Sequence, residues 1–137
     1  MDVESGFGAT LDELSDTIRR VVAAGGVGVN IKDISSFGGR TLYPIEKQVE
    51  RLRTVRAVSS SLGVPLVLNA RTDAYRFAAG DEEAKFQEAV RRANAYAEAD
   101  ADCLYPMGLT DKASISAFVK AVKKPVNIMA RKGAHRS

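Results

Sequence analysis

The run Val64-Pro65-Leu66-Val67-Leu68-Asn69-Ala70-Arg71-Thr72-Asp73 decides how the rest of the chain is read. Its apolar, β-branched part has the pattern of a buried strand, and it breaks off into Asn, Arg and Asp. Strands buried on both faces belong to parallel sheets, where ligand groups gather at the C-terminal strand ends. A guanidinium at such an end can grip a carboxylate or phosphoryl group through two parallel hydrogen bonds. The same residues can equally form an Asp–Arg pair that only tidies a strand end.

Other short apolar runs flank this strand and alternate with helical patterns. Met1–Glu4 is the first strand candidate. Thr10-Leu11-Asp12-Glu13 has the form of a capping box, and Leu11, Leu14, Ile18, Val21 and Val22 follow at helical spacing. Gly25-Gly26 stops that helix, and Val27–Ile31 is the second strand. A polar, glycine-rich loop is expected from Ser35 to Thr41. Pro44 then suits the first turn of a helix with the stripe Ile45, Val49, Leu52, Val55 and Val58 or Leu62. After the third strand, Pro65–Asn69, a helix is expected over Asp81–Ala99 with Phe86, Val90 and Ala93 or Ala97 turned inward. Its neighbours Arg91-Arg92 read as an exposed face. Asp102–Tyr105 is the fourth strand. Asp111 caps a helix carrying Ile115, Phe118, Val119 and Val122. Pro125–Met129 is the fifth strand, ahead of a basic tail, Lys132–Ser137.

Strict alternation of this kind implies parallel strands joined by right-handed crossovers. The 137 residues read as one domain, 1–137, with no linker, repeat or low-complexity tract. An open doubly wound sheet fits the length. A partial (β/α)8 barrel fits the pattern as well, since a whole one takes roughly 250 residues. Because the chain begins inside a strand and ends just after one, the partial barrel is the expected fold.

Hydrophobic residues make up 45% and charged residues 27%, ordinary proportions for a globular domain. No apolar run approaches the ~20 residues that span a membrane. Met1-Asp2-Val3-Glu4 is acidic where a signal peptide is basic, so no leader is expected. Cys103, the single cysteine, excludes an internal disulfide, and a cytoplasmic location is expected. The net charge of +3 owes much to Lys123, Lys124, Arg131, Lys132 and Arg136. No basic helix face or Arg/aromatic alternation accompanies it, so neither nucleic acid nor membrane is an expected partner; a pocket for a small anion explains the sign.

The strand ends hold the candidate chemistry. Asp2 and Glu4 alternate on a strand, and two carboxylates on one side suit Mg²⁺; Gly6-Phe7-Gly8 would let the backbone turn around the ion. A frayed acidic terminus explains the pair as well. Asp33 could join the cluster, and Lys32 could neutralise it or reach to solvent. Asn69, Arg71 and Asp73 end the third strand; Tyr105, Met107 and Gly108 follow the fourth; Asn127 lies in the fifth. His135, in the basic tail, reads as a solvated side chain, and Cys103 as a packed strand residue. Gly38-Gly39 lacks the Lys and Ser/Thr of a phosphate loop.

The ordered set Asp2-Val3-Glu4-Ser5-Gly6-Phe7-Gly8, Gly28-Val29-Asn30-Ile31-Lys32-Asp33 and Leu68-Asn69-Ala70-Arg71-Thr72-Asp73 resembles the isocitrate lyase/phosphoenolpyruvate mutase superfamily. Ala101-Asp102-Cys103 with Gly108-Leu109, and Pro125-Val126-Asn127-Ile128, continue the match. The resemblance implies a (β/α)8 TIM barrel, of which this chain would supply about strands three to seven. It implies a Mg²⁺-dependent lyase or phosphonomutase acting on small α-oxo or hydroxy acids through an enolate-like pyruvate species, in a homo-oligomer. Carried over by motif, Asp2 and Glu4 take the metal positions and Arg71 contacts the substrate carboxylate. Asn69 joins Arg71 and Asn127 in the substrate-binding set, and Arg71 and Asn127 form the catalytic pair.

Two departures shape the expectation. Lys32-Asp33 stands where the family commonly carries Glu-Asp, which swaps a ligand for a cation and predicts weakened or lost Mg²⁺ binding. Ser35–Tyr43 lacks the Lys-Lys/Arg-Cys-Gly-His motif of the isocitrate and methylisocitrate lyase branches, so their acid/base chemistry is not carried over. No segment corresponds to the first two strands or to the final strand and helix. A catalytically inactive remnant is therefore the alternative expectation.

Overall fold

The computed structural model describes the backbone of residues 2–4 and residues 10–26, 28–35 and 41–128. Gly6-Phe7-Gly8, Gly38-Gly39 and His135 lie outside the described residues, as do Met129 and the basic tail.

The elements follow the chain as β1 (Asp2–Glu4), α1 (Leu11–Ala23), β2 (Gly28–Lys32), β3 (Ile34–Ser35), β4 (Thr41–Leu42), α2 (Ile45–Ser61), β5 (Val67–Thr72), α3 (Ala74–Phe77), α4 (Glu82–Glu98), β6 (Cys103–Pro106) and α5 (Lys112–Ala121). The main sheet has the order β1-β2-β5-β6, with every pair parallel. A parallel bridge from Leu104 to Val126 continues it by one residue of the expected fifth strand.

That order decides between the two candidate folds. A doubly wound sheet reverses direction at a switch point and carries helices on both faces. Here each strand lies beside the previous one, so right-handed crossovers lay every helix on the same side. The sheet is an arc of a (β/α) barrel.

Alternation along the strands separates two faces. Val29 and Ile31, Leu68 and Ala70, and Leu104 are buried and meet Leu14, Ile18, Leu52, Val55, Ala93, Tyr96 and Phe118 from the helices. Their neighbours Asn30, Lys32, Asn69, Arg71, Cys103 and Tyr105 are half-buried on the opposite face. Cys103 therefore packs on the polar side and not in the core.

Local sequence accounts for the helix boundaries. Thr10 caps α1 by accepting from the Glu13 amide at 3.1 Å, and its hydroxyl donates to the Glu13 carboxylate at 3.1 Å. Asp81 and Asp111 cap α4 and α5 through the amides of Ala84 and Ser114, each at 2.9 Å. Gly25, at φ +85°, ends α1 in a conformation that other residues rarely adopt. Phe118 meets Phe86 edge-on with centroids 6.3 Å apart, which docks α5 on α4.

Several expectations are corrected. The stretch read as a loop from Ser35 to Thr41 contains an antiparallel ladder at both ends, pairing Ile34 with Leu42 and Ser35 with Thr41. It returns the chain to β2, where the Tyr43 amide donates to the Asp33 carbonyl at 2.8 Å. The short helix α3 is an unexpected turn after β5. Of Val58 and Leu62, the two candidates for the end of the α2 stripe, Val58 is buried and Leu62 is 43% exposed, and besides Leu52, Val55 and Val58 the helix buries Gln48, Arg51 and Ser59. Val119 is exposed, leaving Phe118 as the buried residue of α5.

Candidate active site

Two rows of side chains cross the polar face at the C-terminal ends of the strands. Asn30, Asn69 and Cys103 are in register across β2, β5 and β6, and Asp2 is the register partner of Asn30 on β1. One level nearer the strand ends, Lys32, Arg71 and Tyr105 are in register. In the lower row, the Asn69 amide donates to Asn30 Oδ1 at 2.7 Å, which leaves Asn69 Oδ1 buried and without a hydrogen bond.

The Arg71 guanidinium is 17% exposed and donates from Nη2 to Asp73 Oδ1 at 3.0 Å. The strand-end pairing offered as the simpler reading of these residues is thus present. It does not use up the groups involved: Arg71 Nε and Asp73 Oδ2 are buried with no hydrogen-bond partner. Arg76, on α3, reaches to 3.8 Å from Asp73. The Arg76 side chain also packs against Gly108, at φ +89°, where a Cβ would stand 2.7 Å from Arg76 Cγ.

Asp33 is fully buried and cannot serve the metal cluster suggested for it. Its Oδ1 accepts from the Asp73 amide at 2.8 Å. Its Oδ2 accepts from Thr72 Oγ1 at 2.7 Å, from the Tyr96 hydroxyl at 2.6 Å and from Arg92 at 3.3 Å. These four donors spend the carboxylate on fixing the end of β5. Arg92 is likewise no surface residue. Its side chain is 8% exposed, and it pairs with Asp33 and, at 2.8 Å, with Glu88. Burial alone would lower the Arg92 pKa, but Tyr96, Glu88 and Asp33 together raise it. Burial, and next the Asp33 charge, push the Tyr96 hydroxyl well above its ordinary value, so it stays a donor.

A second polar group braces β2. Gln48 donates to the Lys32 carbonyl at 3.2 Å and accepts from Arg51 Nε at 3.0 Å. The Arg51 guanidinium lies over the Tyr43 ring, 4.7 Å from its centroid. Burial pulls the Arg51 pKa down, with Tyr43 opposing. At the opposite, N-terminal end of the sheet, Arg56 joins the Leu66 and Asp100 carbonyls and, at 2.7 Å, the Asp102 carboxylate. That end is architectural.

None of these networks was legible from the residues alone. The usable signal was spacing: Glu88, Arg92 and Tyr96 repeat every fourth residue on the buried side of α4, and Gln48 lies on the α2 stripe.

The register slips between Asp2 and Glu4, whose Cα partners are Asn30 and Ile31. Their side chains lie outside the described residues. Asn127 is exposed; its amide donates to the Leu104 carbonyl at 2.8 Å, one residue past the bridge at Val126. Among the described residues, no three His, Cys, Asp or Glu side chains gather as metal ligands. The described donors near the strand ends are two cations, Lys32 and Arg71, beside the carboxylate of Asp73, a set unsuited to a divalent ion on its own. No helix of the described residues is long and apolar enough to cross a membrane.

Comparison with known proteins agrees with this geometry. The phosphoenolpyruvate phosphomutase family model matches residues 1–137. The 2-methylisocitrate lyase of Escherichia coli K12 is 30% identical over 132 residues, covering 92% of this chain and 42% of that enzyme. A candidate phosphonomutase of Burkholderia cenocepacia J2315 superposes with a TM-score of 0.86 at 34% identity, covering 94% of this chain and 52% of that one. A phosphonopyruvate hydrolase solved with oxalate and Mg²⁺ superposes with a TM-score of 0.76 at 28% identity, over 93% of this chain and 44% of that one. The chain thus spans about two fifths of the curated relative and about half of these solved chains. With the arc of parallel strands and the Asn-Ala-Arg-Thr-Asp strand end in place, the match over 1–137 shows that the chain belongs to the phosphoenolpyruvate phosphomutase family, within the isocitrate lyase/phosphoenolpyruvate mutase superfamily.

Proposed function

We propose that the polar face binds a small α-oxo or hydroxy carboxylic acid and takes part in lyase or phosphonomutase chemistry through an enolate-like species. The observation that carries this reading is the Arg71 guanidinium, half-buried at a strand end with Nε unspent beside its bond to Asp73. An arginine so placed can hold a substrate carboxylate and balance charge that develops next to it. In this reading Asn69 and Asn127 orient the substrate, and Asn127 shares the catalytic role with Arg71. Asp2 and Glu4 are the groups that would hold Mg²⁺. A divalent ion supplies Lewis-acid stabilisation of an enolate oxygen.

The test is turnover of oxaloacetate, used as the probe acid, by the purified chain with Mg²⁺. Activity should disappear with EDTA, and Arg71→Ala should lower it by roughly 10²–10³. Undiminished turnover in Arg71→Ala would remove that residue from the chemistry. A second reading, a non-catalytic binder, is favoured by one observation: Lys32 stands in register with Arg71. Saturable binding of the acid without turnover, in a cooperatively folded protein, would select it.

A further inference from the structure

Tyr105 is the third member of the row at the strand ends, and it is the Cα partner of Arg71 on the neighbouring strand. Side chains alternate along β6: Leu104 is buried in the core, whereas Tyr105 is half-buried on the polar face. Adjacent strands lie about 4.8 Å apart, so the phenol and the guanidinium rise from that face as neighbours. The Tyr75 and Tyr96 hydroxyls are spent on Glu82 at 2.8 Å and Asp33 at 2.6 Å. The Tyr105 hydroxyl reaches solvent and has no hydrogen-bond partner among the described residues. Enolate chemistry ends with a proton on carbon, and the face holds few groups that could supply it. A guanidinium does not release one. Asp33 is sealed under four donors, and Asp73 is buried and bonded to Arg71. Cys103 stands one row deeper, in register with Asn69. Lys32 lies on β2, across Arg71 from Tyr105, and is already engaged with another group. A phenol carries its proton at neutral pH and can take one back, so it serves in either direction.

We propose that Tyr105 is the proton donor of this face, protonating the carbon of an enolate held at Arg71. The inference rests on the reading that the face binds an oxo-acid, and adds the identity of the acid. In the step, the proton leaves Tyr105 Oη and the O–H electron pair stays on that oxygen. The enolate π pair forms the new C–H bond, and the enolate oxygen becomes a carbonyl. Water returns a proton to the phenolate. In reverse, the phenolate removes a proton from the carbon next to the carbonyl. Ser35–Tyr43 lacks the Lys-Lys/Arg-Cys-Gly-His motif, and a tyrosine at the end of β6 fills the role that this loop leaves open.

Two measurements on the full chain with Mg²⁺ test this. Isothermal titration with oxalate reports binding. Proton NMR in D₂O reports exchange of the pyruvate methyl protons, which passes through the enolate and needs no bond cleavage between carbons. The parent should bind oxalate and exchange pyruvate faster than buffer with Mg²⁺ alone. Tyr105→Phe keeps the ring and its packing. It should leave oxalate affinity within about twofold and slow exchange by about 10²-fold or more. A packing role for Tyr105 would move neither value, and thermal melts by circular dichroism would confirm that the variant folds. Equal exchange in Tyr105→Phe and the parent overturns the inference and leaves the oxo-acid reading standing. Oxalate binding by a parent that exchanges pyruvate no faster than buffer does the same. Loss of oxalate binding in a folded Tyr105→Phe also overturns it, because the hydroxyl would then be a binding contact. No oxalate binding by a parent that melts cooperatively overturns both.

Discussion

Removing the Asp33 carboxylate would leave the buried Arg92 guanidinium with Glu88 as its one carboxylate, beside the Tyr96 hydroxyl, and would strip the Asp73 amide and the Thr72 and Tyr96 hydroxyls of their acceptor. Breaking a buried pair from one side typically costs about 3–5 kcal/mol. Asp33→Ala should therefore lower stability by about that much in urea unfolding, whereas Tyr96→Phe, which deletes one donor of four, should cost about 1–2 kcal/mol. Equal losses for the two would mean that the carboxylate is not the hub. Asp102 gives a pH test at the other end of the sheet. Burial raises its pKa, but the Leu68 amide and Arg56 outweigh that and set it below the ordinary value. A carboxylate depressed in the folded state contributes stability that is complete above its unfolded value, about 3.9, and is lost as pH falls through the folded value. The stability gap between the parent and Asp102→Asn should thus narrow from about pH 6 to about pH 2, read from urea midpoints; a constant gap would rule out this linkage. Sequence made Arg71 and its neighbours legible because a guanidinium at the end of an apolar strand is a local signal. Asp33 and Arg92 gave none, since their meaning lies in contacts across 59 residues of chain.

The three helices with side-chain caps were legible for a local reason: Thr10, Asp81 and Asp111 sit immediately before helical spacing and bond back within three residues. The end of α4 is different. Asp100 takes φ +72°, the left-handed conformation usually given to glycine after a helix. Its carbonyl accepts from Arg56, a backbone contact that a glycine would keep. Asp100→Gly should therefore stabilise the protein by up to about 1 kcal/mol, measured by urea unfolding, and a loss of that size would show that the Asp side chain matters there. The β3–β4 ladder was missed because two-residue strands have too little alternation to register against a polar, glycine-rich background. On helix α2 the expected stripe is buried at Leu52, Val55 and Val58, but the polar residues beside it were not foreseen. Gln48 and Arg51 are buried beside that stripe, where Arg51 donates to Gln48 and Gln48 to the β2 backbone.

At the scale of the molecule, sequential strand order has a physical consequence that a doubly wound sheet would not share. One sheet face is sealed by helices, and the other presents polar, half-buried side chains together with Val67, which is 49% exposed. Among the described residues, β1 pairs on one side only, and beyond β6 there is a single bridge, Leu104 to Val126. Open backbone at sheet edges is a template for pairing with another chain. A net charge of +3 is too small to oppose such contacts strongly. The chain should therefore self-associate, with a mass by light scattering after size exclusion that rises over a tenfold range of loading concentration. Amide exchange should locate the contact: β2 and β5, paired on both sides, should exchange slowly at every concentration, while β1 and the segment around Val126 should gain protection only where the chain associates. Concentration-independent monomer with a single cooperative melt would mean that the edges are closed within one chain, and would refute edge pairing as the route to assembly.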